Sequence, residues 1–248
     1  MRGVILAGGH GTRMAPVNAI QNKHLLPVYS KFDGAVPMIE FPIKTLVSGG
    51  IQDILIISSR EHSGQIIQYL GDGSDFGADF SYKIQDLKKV QLGIASALSL
   101  AYNYTGDEDF AVILGDNIFA DSFDLTEQKF RYSHVFLKKV DDPQRFGVVE
   151  WEEVDKQRKI KKIIEKPVNP PSNDIVTGLY LFSSSVYELI NQLEPSDRGE
   201  LEIIDVINMF PEFSYTEVSG FWSDAGTVES MLYTEDFLNG RYSFNWQK

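Results

Sequence analysis

Three short apolar segments, each followed or closely preceded by glycine, most constrain the fold of this chain. They span residues 2–7, 53–58 and 110–114, and their length suits a buried strand better than a helix. Helical patterns lie between them, at about 38–48, 62–70 and 94–104. Strands that alternate with helices at this spacing form a parallel sheet with helices on both sides. We therefore predict an α/β fold, with a Rossmann-like, mixed, mostly parallel sheet and helices on both faces.

The pattern changes after about residue 130, where the predicted strands are more closely spaced. Strands are predicted near residues 136–138, 147–151, 160–164 and 176–182, and helices near 184–192, 201–210 and 227–239. We interpret this half as extra strands and helices that extend the same sheet. On this interpretation residues 1–248 form a single domain.

Acidic residues outnumber basic ones, but the two kinds are unevenly distributed. The 248 residues include 35 Asp and Glu against 23 Lys and Arg, for a formal net charge of −12. This balance argues against nucleic acid or an acidic membrane surface as the main partner, because surfaces that bind those polyanions are usually basic. Residues 1–32 nevertheless contain Arg2, Arg13, Lys23 and Lys31 and no acid. The first part of the chain is therefore the best candidate for binding an anion.

Two absences narrow the class of protein further. There is no cysteine, which excludes disulfides, zinc–thiolate sites and cysteine nucleophiles. No segment has the ~20 apolar residues of a membrane-spanning helix, and the first apolar run is too short for a secretory signal. We expect a cytoplasmic protein without a membrane partner.

A glycine-rich segment follows the first predicted strand. It reads Leu6-Ala7-Gly8-Gly9-His10-Gly11-Thr12-Arg13, and its glycines allow a sharp turn and a close approach of the backbone to a ligand. A dinucleotide fingerprint would need glycine where Met14 stands, and no P-loop Gly-Lys-Ser/Thr tripeptide follows. The segment is either a connecting turn or an anion-binding loop. Arg13 and Lys23, which have no acidic neighbour in sequence, favour the anion-binding loop.

This segment, together with Asn22-Lys23-His24-Leu25-Leu26-Pro27-Val28, resembles the signature of the sugar nucleotidyltransferases. Further blocks resemble the family in the same order, at residues 36–39, 50–58, 114–119, 145–150, 165–167, 176–180, 198–203 and 222–227. The resemblance implies the nucleotide-diphospho-sugar transferase form of the predicted fold. It also implies that residues 1–130 bind the nucleotide and residues 131–248 the sugar phosphate.

The resemblance implies a reaction as well. In the branch with the most similar pattern, glucose 1-phosphate attacks the α-phosphorus of dTTP, and dTDP-glucose and pyrophosphate are formed. The nucleophile needs no general base, because the second pKa of a phosphate monoester is about 6. The site must instead bring anions together, with cations, oriented N–H groups and a metal ion, expected to be Mg²⁺. The expected partners are these small molecules, and a homo-oligomer is compatible with the sequence.

Three basic residues match catalytic positions of the family. Arg13 is expected to hold the triphosphate, Lys23 to lie near the α-phosphate and the departing pyrophosphate, and Lys166 to hold the sugar phosphate. The alternative for Lys166 is a solvated lysine at the end of a basic strand, but its Glu-Lys-Pro context favours function. For the five basic residues between positions 156 and 162, which alternate with apolar residues, we favour a solvated strand.

Asp116 and Asp224 match the family's metal ligands. Asp116 follows a buried strand, at the edge of the sheet where open α/β folds bind ligands. Taken alone, Asp116 is also compatible with a turn aspartate, and Asp224 with the N-cap of the last helix. The resemblance pairs them as ligands of one Mg²⁺, which typically takes one or two carboxylates together with waters and phosphate oxygens.

The remaining matches concern substrate contacts. The resemblance implies nucleotide contacts for Leu6, Ala7, Gly8, Gly9, Gly11, Thr12, Gln85 and Gly93, and contacts with the sugar or its phosphate for Asn117, Gly147, Glu165 and Val176. The amide of Gln85 offers both a donor and an acceptor to a pyrimidine, and Gly93 would let the base lie against the backbone. The structural alternative for Glu165 is an ion pair with a neighbouring lysine.

Three other functions compete with this expectation. A uridylyltransferase differs least from the expected dTTP-using enzyme, because thymine and uracil differ by one methyl group, worth ~1–3 kcal/mol in a pocket. The sequence also favours thymine less strongly because Ser96 stands where the family commonly has glutamine. A non-catalytic nucleotide-sugar-binding regulator would be expected to lack one of the site's aspartates or lysines, and none is missing. An RNA-binding protein that uses residues 156–166 fits poorly with the net charge of −12 and the lack of interleaved aromatic residues.

Overall fold

The computed structural model describes residues 1–9, 14, 21–31, 34–86, 88 and 92–240. Its strands are β1 (Arg2–Ala7), β2 (Pro27–Ser30), β3 (Gly34–Pro37), β4 (Asp53–Ser59), β5 (Asp79–Gln85), β6 (Phe110–Leu114), β7 (Asn117–Phe119), β8 (Ser133–Lys139), β9 (Gly147–Val154), β10 (Gln157–Glu165), β11 (Asp174–Phe182), β12 (Ser214–Glu217) and β13 (Trp222–Asp224). Its helices are α1 (Glu40–Ser48), α2 (Ser63–Leu70), α3 (Ile94–Ser99), α4 (Tyr102–Thr105), α5 (Val186–Ile190), α6 (Ile203–Met209) and α7 (Val228–Leu238).

A mixed sheet forms the centre of the described structure. Strand β1 lies between β4 and β6 and is parallel to both, with Ile5 opposite Ile56 and Ile113. Strand β5 adds a parallel edge beside β4, and β11 continues the sheet antiparallel to β6. The strand order is β10-β9-β11-β6-β1-β4-β5, with β8 paired to β11 and β12 paired to β8. The predicted α/β class with a mixed, mostly parallel sheet is confirmed.

The side chains of β1 alternate between two apolar layers, one on each face of the sheet. Val4 and Leu6 belong to the layer that includes residues of α3, α5 and α6. Ile5 and Ala7 belong to the layer that includes residues of α1 and α2. Burial on both faces explains why the strand is continuously apolar, and the expected helices on both faces are confirmed. Among the helices of the described residues, none combines the length and the apolar character that a bilayer span requires.

The structure differs from the sequence-based expectations in two respects. The helix predicted at 94–104 is divided into α3 and α4, because the N–H groups of Leu100 and Ala101 donate to carbonyls only three residues back. Strands β2, β3, β5, β7, β12 and β13 escaped prediction. Strands β5 and β12 each pair with a single neighbour at an edge of the main sheet and carry exposed polar residues, so neither has the apolar run of a central strand. The other four are only three or four residues long and form two separate two-stranded sheets.

The basic strand β10 lies against the acidic strand β9. Antiparallel pairing places Lys159 opposite Glu152, and the ammonium groups of Lys161 and Lys162 lie 2.5 and 3.4 Å from Glu150 oxygens. The positive charges are thus compensated on the neighbouring strand. This arrangement supports the interpretation of these lysines as a solvated strand and removes the basis for an RNA-binding surface.

His134 in β8 is buried at the boundary with β12. Its ring nitrogens lie 2.8 Å from Ser214 Oγ and 3.0 Å from Thr216 Oγ1. Burial lowers the pKa of His134 from its ordinary 6.5 to about 4. As the pH falls, the unfolded chain therefore takes up a proton before the folded protein does, so protonation favours unfolding between these two values.

We predict that this histidine makes the protein less stable as the pH falls from about 6.5 to about 4, by up to about 1.4 kcal/mol per pH unit. The substitution His134→Gln should remove this contribution, so that the free energy of unfolding of the variant depends less steeply on pH. Urea unfolding of both proteins across this pH range measures the two slopes. Equal slopes would contradict the assignment.

Candidate active site

The carboxyl ends of β1, β4 and β6 meet at one edge of the sheet, where ligands bind in open α/β folds. The Gly115 N–H donates to Leu6 O at 2.9 Å, which aligns the ends of β1 and β6. The chain leaves β1 through Ala7, Gly8 and Gly9, and Gly9 has a φ of +90°, a conformation that favours glycine. The first four residues of the predicted nucleotide loop thus lie at this edge.

Gln85, at the end of β5, lies against the glycine loop. The residue is buried, and its Oε1 is 2.5 Å from the position that a Cβ on Gly8 would take. Ser59, at the end of β4, lies beside them, and its buried hydroxyl has no hydrogen-bond partner among the described residues. The fold therefore brings Gln85 to the predicted nucleotide loop.

Lys23 and Asp116 form a short ion pair at the same edge. The Nζ–Oδ2 distance is 2.6 Å, and the side chains are 14% and 16% exposed. Burial is the largest single influence on the pKa of Asp116 and favours its neutral form. The charge of Lys23, the nearby His24 and the hydrogen bonds from Lys23 and Asn117 together outweigh burial and hold the pKa of the carboxyl well below its usual range. Asp116 is therefore an anion at neutral pH.

Asp224, near the C-terminal end of the chain, lies close to Asp116 in the folded protein. Strand β13 pairs with β7 so that Asp224 is opposite Asn117, the residue after Asp116. Gly226 permits the close approach of this segment, because a Cβ at that position would lie 3.0 Å from Asp116 Oδ2. The N-cap of α7 is Thr227, so the alternative role of Asp224 as the helix cap is wrong.

Arg145 holds the carboxylate of Asp224. Its NH2 group lies 3.1 and 3.3 Å from the two carboxylate oxygens, and its NH1 group donates to Asp142 Oδ2 at 2.8 Å. Burial opposes the charge of Arg145, but the hydrogen bond with Asp142 and the charge of Asp224 raise its pKa above the ordinary value. Arg145 opens one of the blocks that resemble the family, yet the sequence suggested no role for it.

The amide of Asn117 connects three strands around Asp116. Its Oδ1 accepts from the Gly178 N–H at 2.9 Å and from Trp222 Nε1 at 2.8 Å. Its Nδ2 donates to Asp116 Oδ1 at 3.1 Å. The structure thus uses Asn117 to position Asp116, and a contact between Asn117 and a sugar would use the remaining N–H. Trp222 is a second residue whose place in the site the sequence did not reveal.

Lys166 and Arg198 share a carboxylate. Lys166 Nζ and Arg198 NH2 each lie 3.1 Å from Glu165 Oε1, and Arg198 also bonds to the buried Glu202 at 2.7 Å. The ion-pair alternative for Glu165 is therefore present in the structure. The sequence did not predict a role for Arg198, because only the folded chain brings Arg198 and Lys166 to the same carboxylate.

The backbone of Lys166 adopts an unusual conformation. Its φ is +43°, and its N–H donates to Phe146 O at 2.9 Å. A left-handed conformation at a residue other than glycine costs about 1–3 kcal/mol and is common at functional sites. This strain is a second observation, besides the Glu-Lys-Pro context, that favours a functional Lys166.

Gly93 joins the segment before α3 to the loop that carries Arg198. Its φ is +113°, and a Cβ there would lie 2.3 Å from Leu201 O. Hydrogen bonds run from Leu201 N–H to Leu92 O at 2.8 Å and from Ala95 N–H to Leu201 O at 3.2 Å. The structure thus explains glycine at position 93 by close packing of its backbone against Leu201.

Of the remaining predicted residues, two lie within the described structure and three lie outside it. Gly147 and Val176 are opposite each other on β9 and β11, and a Cβ on Gly147 would lie 2.7 Å from the side chain of Ile204. Gly11, Thr12 and Arg13 lie outside the described residues.

Asp116 and Asp224 suit a small divalent cation. They supply hard carboxylate oxygens, since Asp224 ends β13 and Asp116 directly precedes β7, the strand that pairs with β13. Gly226 leaves room beside Asp116. Within the described ranges, no group of three or more His, Asp or Glu side chains could hold a metal ion. A pair of carboxylates completed by water and phosphate oxygens is the usual arrangement for Mg²⁺.

A sequence model of the nucleotidyl transferase family matches residues 2–240. This chain belongs to that family. A glucose-1-phosphate thymidylyltransferase of Neisseria meningitidis is 41% identical to this nucleotidyl transferase. The alignment covers 96% of this chain and 82% of the relative. A glucose-1-phosphate thymidylyltransferase of Mycolicibacterium smegmatis is 37% identical, with the same coverage.

Solved structures resemble this nucleotidyl transferase over its whole length. A Bacillus anthracis protein assigned as a glucose-1-phosphate thymidylyltransferase, crystallised with sucrose, has a TM-score of 0.85 and 41% identity, covering 100% of this chain and 98% of its own. A UDP-glucose pyrophosphorylase with bound UDP-glucose has a TM-score of 0.79 and 22% identity, covering 95% and 97%. The second similarity concerns the fold alone, and it agrees with the first, which is 41% identical and has the same fold.

We predict that Gly93→Ala lowers the free energy of unfolding of this nucleotidyl transferase by roughly 1–3 kcal/mol, because the added Cβ meets a backbone carbonyl and φ is unfavourable. Gly64→Ala is the matched control, since a Cβ at Gly64 meets nothing within 4 Å. Urea unfolding of both variants measures the effect. Equal stability of the two variants would contradict the packing argument.

Proposed function

We propose that this nucleotidyl transferase makes dTDP-glucose and pyrophosphate from dTTP and glucose 1-phosphate. The observation that carries the proposal is the meeting of Lys23, Asp116 and Asp224 at the carboxyl edge of the sheet. It is supported by relatives, 35–42% identical to this chain, that are named glucose-1-phosphate thymidylyltransferases. Closely spaced cations and carboxylates are what a reaction between two phosphates requires.

The proposed chemical step joins two anions. An oxygen of the sugar phosphate forms a bond with the α-phosphorus of dTTP, and the bond from that phosphorus to the bridging oxygen of pyrophosphate breaks. Pyrophosphate leaves with the electron pair. No proton has to be removed from a nucleophile whose second pKa is about 6, so the residues of the site act by positioning and by neutralising charge.

On the nucleotide side, the proposal assigns the triphosphate to the loop that follows β1. Gly8 and Gly9 leave the backbone accessible, Lys23 lies 2.6 Å from Asp116 at the edge where the phosphates would pass, and Arg13 is proposed to hold the triphosphate. The amide of Gln85 would pair with the donor and acceptor of thymine. These assignments place the nucleotide within residues 1–130.

On the sugar-phosphate side, the proposal assigns the nucleophile to residues 131–248. Lys166 and Arg198, both 3.1 Å from the same oxygen of Glu165, offer two positive charges for one phosphate. Lys166 has a left-handed backbone, and its ammonium lies beside Glu165. Glu165 would then be free to accept hydrogen bonds from sugar hydroxyl groups.

The proposed cofactor is one Mg²⁺, held by Asp116 and Asp224. When bound, it would neutralise charge on the phosphate oxygens at the reacting phosphorus. Arg145 orients Asp224 through both carboxylate oxygens, and Asn117 orients Asp116. These two residues hold the ligands in place before substrate arrives.

A uridylyltransferase is the second candidate, because the amide of Gln85 can pair with uracil as well as with thymine. Purified protein should be incubated with Mg²⁺, glucose 1-phosphate and dTTP, UTP, CTP or GTP in turn, and pyrophosphate assayed. We expect the highest kcat/KM with dTTP. A higher value with UTP would favour the second candidate, and no turnover with any pair would leave a non-catalytic nucleotide-sugar-binding protein.

We predict that Lys166→Ala and Arg198→Ala each lower kcat/KM for glucose 1-phosphate by about tenfold or more, because each removes a charge-assisted hydrogen bond to its phosphate. The effect should fall mainly on KM for the sugar phosphate, with KM for dTTP nearly unchanged. Lys162→Ala and Arg131→Ala are matched controls, since these cations pair with Glu150 and Glu212. Near-normal kinetics of either first variant would refute its assigned role.

A further inference from the structure

Each carboxylate of the proposed metal site already has a positively charged partner. Lys23 Nζ lies 2.6 Å from Asp116 Oδ2, and Arg145 NH2 lies 3.1 Å from Asp224 Oδ2. Two cations thus compensate two carboxylates before any ligand is present. A divalent ion that arrives alone would meet a pair of carboxylates whose charge is already neutralised, and it would be repelled by the two cations.

The two ion pairs differ in how firmly they are held. The guanidinium of Arg145 also bonds to Asp142 at 2.8 Å, and it lies over the ring of Phe146 at 5.1 Å. These additional contacts fix Arg145 in place. Lys23 has Asp116 as its acidic partner in the described part of the chain. A lysine ammonium at the end of a flexible stem can exchange this partner for another anion.

The position of the Lys23 ammonium conflicts with that of a metal ion. Magnesium binds carboxylate oxygens at about 2.0–2.1 Å, and Nζ already lies 2.6 Å from Asp116 Oδ2. Asp116 Oδ1 is engaged as well, because it accepts from Asn117 Nδ2 at 3.1 Å. An ammonium and a divalent cation on the same oxygen would repel each other strongly in this partly buried place.

We propose that in the ligand-free protein Lys23 blocks the metal position on Asp116, and that the triphosphate opens this position by drawing the ammonium onto its own oxygens. Metal and nucleotide therefore bind together, and the metal alone binds weakly. This inference rests on the proposed function, since it identifies the triphosphate as the anion that Lys23 exchanges for Asp116. Arg145 stays on Asp224 throughout and keeps that ligand oriented.

The test uses Mn²⁺ alone, which can be counted by electron paramagnetic resonance without any turnover. Wild-type protein without nucleotide should bind Mn²⁺ weakly, whereas Lys23→Met, which removes the ammonium and adds no metal ligand, should bind it about tenfold more tightly or better. The double variant Lys23→Met, Asp116→Asn should lose this gain. Lys44→Met, which removes a cation that is paired with Glu40, should bind Mn²⁺ as the wild type does.

An unchanged or weaker Mn²⁺ affinity in Lys23→Met, with a native thermal transition and circular dichroism spectrum, would overturn the proposal. A gain that persists in the double variant would also overturn it, because the metal would then not be on Asp116. If Lys23→Met does not fold, Mn²⁺ binding is measured instead with Lys23→Leu and with the wild type, both without nucleotide. Tight Mn²⁺ binding by the wild type would then overturn the proposal. The outcome is independent of the pyrophosphate assay, whose failure would count against the proposed function alone.

Discussion

The parallel alignment of β1, β4 and β6 is the constraint on which the rest of the site depends. Parallel strands that share a register end at the same edge of the sheet, so residues distant in sequence leave the core at one place. Gly8, Ser59 and Asp116 meet for this reason. The alignment is stabilised by apolar layers on both faces of β1, which bury Ile5 and Leu6 on opposite sides.

Charge compensation is the second organising feature of the site. Lys23 pairs with Asp116, Arg145 with Asp224, and Lys166 and Arg198 with Glu165. An unpaired charge in a partly buried site would be costly, whereas a paired one is tolerated until a ligand offers a better partner. A protein with a net charge of −12 can therefore hold several cations at one edge and still present them to phosphates.

Much of the fold was predictable because central strands have a distinctive composition. A strand buried on both faces must be apolar throughout, and β1, β4 and β6 were recognised for that reason. Edge strands such as β5 and β12 carry polar residues on their solvated faces, and their identity depends on pairing with a neighbour. The division between α3 and α4 also escaped prediction, because hydrogen bonds to carbonyls three residues back leave no mark on the apolar periodicity.

The sequence by itself determined the family, the glycine loop and the candidate ligands, because these are ordered patterns of residue type along the chain. It also excluded cysteine chemistry outright. Only the tertiary structure decided which side chains are partners. The pairing of β13 with β7 brings Asp224 beside Asp116 across more than a hundred residues, and the roles of Arg145, Arg198 and Trp222 follow from similar long-range contacts. The physical reason is that an ion pair or hydrogen bond acts over a few ångströms in space, and separation along the chain does not reveal that distance.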